Sequence, residues 1–144
     1  MRSVLGLMLV IVPQLLLAQG AQTSDANSVV GTYRAHDKVG AGCTIEAGDR
    51  RANTVRIQFD CNRGAPSYHH GANDVRVPLR GGVATYGDTN SSSTCRLRFS
   101  FARDRVTVKQ TGSDLACGFG AFVHIDGTYP RVSRRPPKFD LLPL

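Results

Sequence analysis

Cys43-Thr-Ile-Glu-Ala-Gly-Asp-Arg-Arg-Ala-Asn-Thr-Val-Arg-Ile-Gln-Phe-Asp-Cys61 is the stretch from which the fold can be read. A turn across Gly48 to Asn53 joins two strands. Setting Ile45 opposite Phe59 places Ala47 opposite Ile57 and Cys43 opposite Cys61. Side chains on a strand alternate between faces, so these six share one apolar face. Thr44, Glu46, Gln58 and Asp60 fall on the other face and are polar. A non-hydrogen-bonded cross-strand pair brings two cysteines close enough to bridge, which predicts a Cys43–Cys61 disulfide at the open end of the hairpin.

A second segment repeats this plan. The first half runs Thr32-Tyr33, Cys43, Val55 to Asp60, then Cys61-Asn-Arg-Gly-Ala65; the second runs Thr85-Tyr86, Cys95, Val106 to Lys109, then Cys117-Gly-Phe-Gly-Ala121. With Ala102 to Arg105 as the turn, Phe101 faces Val106, Phe99 faces Val108 and Leu97 faces Gln110. Cys117 then comes from the following segment, which alternates through Phe119, Ala121, Val123 and Ile125. By analogy with the first half, Cys95 pairs with Cys117. The other two connectivities of four cysteines remain formal alternatives.

Strands are predicted near Val29–Ala35, Cys43–Ala47, Thr54–Cys61, Val75–Leu79, Val83–Tyr86, Cys95–Phe101, Val106–Gln110 and Phe119–Ile125, with a ninth through Thr128–Val132. Gly-rich turns separate them, and no stretch holds a helical period. The fold class is therefore all-β: a small antiparallel barrel or sandwich of about eight strands with two similar halves and two disulfides. Residues 28–132 form a single domain.

The flanks differ in kind. Arg2, an apolar run from Val4 to Leu17 and small residues at Ala18, Gly20 and Ala21 have the order of a secretory signal peptide over residues 1–20, followed by a polar leader over 21–27. The apolar run is too short and broken for a membrane span, and no other transmembrane segment is predicted. A periplasmic or secreted location suits an even cysteine count. Residues 133–144 carry Arg134, Arg135 and Lys138 around two prolines and read as a basic, disordered tail.

Basic residues number 18 against 11 acidic ones, and 15 of the 18 are arginine. Net positive charge favours an anionic partner: an acidic protein or an anionic envelope polymer. Nucleic acid is not expected, because aromatic stacking platforms do not interleave with the basic residues. No two cysteines lie within five residues of each other, unlike a zinc site, and neither a metal nor a cofactor is expected. Hydrolase and phosphate-loop motifs are missing.

Two groups of residues are candidates for partner binding. Ser67, Tyr68, His69 and His70 lie in a loop of contact-forming side chains, shaped by Pro66 and flanking glycines, on a cross-linked scaffold. The alternative is a structural turn with Tyr68 packed inward. Arg96, Arg98 and Lys109 share the outward face of the second hairpin, with Arg98 directly opposite Lys109. That face is either an anion site or a solvated surface in which long side chains splay apart.

The runs Cys61-Asn-Arg-Gly-Ala-Pro-Ser-Tyr68 and Cys117-Gly-Phe-Gly-Ala-Phe-Val-His-Ile-Asp-Gly-Thr-Tyr129 resemble segments of small exported bacterial proteins of unknown function. Gly31-Thr-Tyr33 is similar to the opening strand of lipocalin-like barrels, without the tryptophan usual there. Neither resemblance carries over a catalytic or ligand residue. The leading expectation is a non-enzymatic exported β-domain that binds an envelope partner, inhibitor- or immunity-like in manner. A barrel carrying a small apolar ligand between Phe59, Phe99, Phe101 and Phe119 is the alternative. A hydrolase using carboxylates among Asp60, Asp74, Asp88, Asp114 and Asp126 is the third.

Overall fold

In the computed structural model, which describes residues 29–87 and 95–142, Cys43 faces Cys61, Ile45 faces Phe59 and Ala47 faces Ile57. These residues belong to β2 (Gly42–Arg51) and β3 (Thr54–Asn62). The other strands are β1 (Gly31–His36), β4 (His70–Arg80), β5 (Val83–Tyr86), β6 (Arg96–Phe101), β7 (Arg105–Thr111) and β8 (Gly127–Ser133). Each pairs antiparallel with the next, and β8 returns to β1, closing an eight-stranded barrel. Closure leaves no free sheet edge, the usual liability of a small β-protein. Both expected disulfides are present, Cys43–Cys61 and Cys95–Cys117, at the same end of the barrel. The signal and leader segments, and Asp88, lie outside the described residues.

The interior is filled by side chains from alternate positions. Phe59 packs on Phe99 and Phe119 with ring centroids 6.0 and 5.8 Å apart, and Phe101 joins Phe99 to Tyr33. Two buried tyrosines anchor opposite ends. Tyr33 donates its hydroxyl hydrogen to the Val29 carbonyl at 3.0 Å and accepts from Arg131 at 2.7 Å; Tyr129 donates to the Ile125 carbonyl at 2.8 Å. Burial pushes both phenols up to about 12, the expected response of a group whose charged form is poorly solvated.

The Phe119–Ile125 strand is not formed. A 3₁₀ turn at Leu115–Cys117 leads instead into an irregular plug across the disulfide end. Phe119, Val123 and Ile125 still point inward, but Ala121 is exposed and Phe122 takes a left-handed backbone with φ of 63°. Alternating apolar residues thus meet the core without a ladder. The plug is fastened by the Gly120 N–H donating to the His70 carbonyl at 3.0 Å and by Cys117 itself. Gly71, paired with Cys61, leaves the space that Phe119 occupies: a Cβ there would collide with the Phe119 ring. β4 also begins earlier than its apolar alternation suggests, because backbone pairing with β3 runs on through Asn73, Ala72 and Gly71.

The C-terminal segment departs from the disordered tail expected of it. Described as far as Leu142, it lies as a strap over the outer face of β2 and β3. The Phe139 N–H donates to Glu46 Oε2 and the Leu141 N–H to Gln58 Oε1, both at 2.8 Å. Pro137 covers Gly48, and the Arg56 guanidinium sits 4.4 Å from the Phe139 ring centroid. Thr44, Glu46 and Gln58, outward by strand parity, are consequently buried. Prolines preclude helix and ladder, but alternate backbone N–H groups of an extended strap still find side-chain acceptors.

Burial holds the Glu46 carboxyl above its ordinary value, against the opposing Phe139 N–H. A raised carboxyl favours the fold below the unfolded-state value, and that contribution is lost as pH rises through the folded-state value. Asp74 has the opposite sign: its hydrogen bonds from Arg56 depress it, so its contribution is lost as pH falls. Glu46→Gln keeps an acceptor for Phe139 and removes the buried charge. Its melting temperature near neutral pH should equal or exceed that of the parent. Between about pH 6 and 3 it should fall more steeply, because the loss at Asp74 is no longer offset. Circular-dichroism melts across this range check the sign; a variant that is destabilised at neutral pH shows that the strap requires the charge.

Candidate functional site

Inward Leu97, Phe99, Val106 and Val108 fix the parity of β6 and β7, so Arg96, Arg98 and Lys109 must face solvent. The register is as expected, with Arg98 opposite Lys109 and Arg96 opposite Thr111. Thr85 of β5 flanks Arg98 on its other side. Thr85, Arg96, Arg98, Lys109 and Thr111 line a shallow groove of about 340 Å³. An adjoining groove of about 370 Å³ shares Thr85 and Arg98 and continues to Pro78, Val83 and Arg80. Together they cross four strands, a width of about 14 Å at the usual inter-strand spacing.

The four cations have no ion-pair partner within 4.0 Å among the described residues. On the neighbouring strands β3 and β4, by contrast, Arg56 grips Asp74 with two nitrogens, and Arg76 pairs with Asp49. Arg80, Arg96, Arg98 and Lys109 therefore make a concentrated positive field, with two threonine hydroxyls between them. Guanidinium groups match phosphate, sulfate and carboxylate oxygens in geometry, and the lysine adds a point charge. Arg80 and the threonines are additions to the sequence-based set. The alternation Val75, Val77, Leu79 already turns Arg80 outward, but only the β4–β5–β6 adjacency puts it beside Arg98.

Ser67, Tyr68, His69 and His70 lie elsewhere, on the disulfide end, and do not join the basic groove. Their loop is compact: the Tyr68 N–H donates to the Gly64 carbonyl, the Arg63 N–H to His69, and the Ala65 N–H to Val39. Tyr68 is 69 % exposed, not packed inward. The two histidines part company. His69 Nδ1 meets the Ala121 carbonyl of the plug at 2.8 Å, whereas His70 Nε2 lies 2.7 Å from Asp60 Oδ1. Among the described residues no group of three or more His, Cys, Asp or Glu is placed to hold a metal.

The described carboxylates named as catalytic candidates are engaged in local contacts. Asp60 meets His70, and Asp74 meets Arg56. Asp114 meets His124 and accepts from the Gln110 side chain, and Asp126 accepts the Gln110 backbone N–H. The aromatic residues proposed to line a ligand cavity pack against one another, and Phe59, Phe99 and Phe119 are at most 2 % exposed. All four cysteines are bridged, and no helix among the described residues is long and apolar enough to cross a membrane. Comparison of the chain with protein-family models, curated proteins and solved structures finds no match.

Proposed function

We propose that this chain is an exported, non-enzymatic binding domain that holds an anionic envelope component or an acidic protein against the outer face of β4 to β7. The observation that carries this reading is the run of four exposed cations, Arg80, Arg96, Arg98 and Lys109, unpaired among the described residues and lining two joined grooves. Maintaining like charges side by side across a sheet has a repulsive cost that an anion relieves. Two disulfides suit an oxidising compartment, and a closed barrel presents the groove rigidly, so little conformational entropy is lost on binding. The packed interior favours surface binding over carriage of an apolar molecule inside the barrel.

Retention on dextran sulfate and phosphocellulose columns tests the reading. The parent should elute at high salt, and Arg98→Gln/Lys109→Gln should elute at clearly lower salt, because each fixed cation adds attraction that salt screens. Unfolding by urea should show the double variant unchanged or slightly more stable, since a repulsive cross-strand pair is gone. Equal retention of both proteins would remove the groove from consideration.

A further inference from the structure

A second concavity lies at the disulfide end, outside the plug, with a volume of about 480 Å³. Its floor is Ala35, Gly42 and Tyr129; its rim includes His36, Asn62, Arg63, Phe122 and Asp126. That volume falls in the range of small-molecule sites, roughly 300–1,000 Å³. The cleft is separate from the filled barrel core and from the basic groove.

Three side chains on its rim are donors without use. The His36 ring, the Asn62 amide and the Arg63 guanidinium make no hydrogen bond or ion pair with any described residue. The other polar rim groups are occupied: Asp37 Oδ1 accepts from the Val39 and Ala41 N–H groups, His124 pairs with Asp114, and Thr128 bonds Thr107. Arg63 is held in place, with its guanidinium 4.7 Å from the Phe122 ring centroid. A guanidinium seated over a ring in this way still has N–H groups to offer an anion.

Phe122 gives the second, independent observation. It is 64 % exposed, and its φ of 63° lies in the left-handed region. A bulky residue is disfavoured there, and such strain concentrates at ligand-binding positions. Exposure gains the fold little from the ring. What the conformation does is stand an aromatic wall beside the cleft and dock Arg63 on it.

We infer that this cleft binds a small, flat carboxylate, an aromatic or conjugated acid, whose carboxylate meets Arg63, Asn62 and His36 while its ring lies along Phe122. Strand order β8–β1–β2–β3 puts Asp126, just before β8, across the cleft from Asn62 and Arg63, with the ends of β1 and β2 between. Asp126 uses Oδ1 for the Gln110 N–H, leaving Oδ2 to accept from a hydroxyl at the far end of the ligand. A hydroxylated aromatic acid therefore fits the pattern of donors and acceptor.

Sodium 4-hydroxybenzoate, titrated into the full folded chain and followed by amide NMR spectra, tests this. Saturable shifts are expected at His36, Asn62, Arg63, Phe122 and Asp126. Arg63→Gln should weaken binding about tenfold or more, since a charge-assisted bond is lost, with the rest of its spectrum unchanged. The neutral 4-hydroxybenzyl alcohol should bind at least about tenfold more weakly than the acid. Arg98→Gln/Lys109→Gln, altered only in the basic groove, should bind the acid as the parent does. Shifts centred on Arg96 to Lys109, equal affinity for the alcohol, undiminished binding by Arg63→Gln, or no saturable shift would each overturn the assignment. Only the first of these outcomes touches the basic groove, and it would support anion binding there, so failure of the cleft and failure of the groove remain distinguishable.

Discussion

Phe59→Ala should destabilise the fold by about 3–5 kcal/mol, the range for deleting a buried aromatic ring. Phe59 is fully buried and touches rings from two sources, Phe99 of the barrel wall and Phe119 of the plug. Its loss opens a void exactly where wall and plug meet, and each lost ring pair adds about 0.5–1.5 kcal/mol beyond area. Against a total stability of roughly 5–15 kcal/mol this is a large fraction. Urea unfolding should show a lower midpoint at similar slope, and Phe59→Leu should recover much of the difference. A loss below about 1 kcal/mol would mean that the interior is not close-packed, and would return the barrel lumen to consideration as a ligand cavity.

The hairpin register is legible because period two limits the registers that put Ile45, Ala47, Ile57 and Phe59 on one face to steps of two residues, and the one that turns through Gly48 to Asn53 brings Cys43 onto Cys61. The same logic placed Arg98 opposite Lys109. Alternation leaves barrel and sandwich equally open, because β1–β8 pairing depends on contacts about 100 residues apart in the chain that it does not encode. Two segments misled for opposite reasons. Phe119 to Ile125 alternates like a strand, yet its job is to fill the barrel mouth, where three buried side chains suffice and no neighbouring strand is free to pair. The tail carries prolines and charge, the usual marks of a solvated segment, yet Glu46 and Gln58 offer acceptors to alternate N–H groups. The clue lay in β2 and β3, but polar residues on an outward face look the same whether water or a strap covers them. The end cleft was illegible because its rim draws on β1, the β3–β4 loop and the plug, which only the closed barrel brings together.

Replacing Cys95 and Cys117 by alanine should have a different consequence from replacing Cys43 and Cys61, although the bridges span similar separations of 22 and 18 residues. Restriction of the unfolded chain gives about 3 kcal/mol in either case. Cys43–Cys61 joins strands that seven further residues of β3 already pair on both sides, so its loss should lower stability across the whole barrel evenly. Cys95–Cys117 instead ties the plug to the start of β6, and the remaining ties of the plug are non-covalent and mostly through side chains: the Gly120 and His69 hydrogen bonds, those of Gln110 with Asp114, Ile125 and Asp126, the Tyr129 hydroxyl, and the Phe119 and Phe122 rings. Without that bridge the plug should open locally below the global unfolding free energy. Amide hydrogen exchange at Gly120 and Val123 should then accelerate far more than exchange within β2 and β3, whereas Cys43→Ala/Cys61→Ala should accelerate both sets alike. Binding of 4-hydroxybenzoate should fall in the Cys95/Cys117 variant in step with plug opening, since Phe122 and Asp126 leave the cleft together. Uniform exchange in both variants would show that plug and barrel unfold as one unit, held by the packing of Phe119, Val123 and Ile125 and not by the bridge.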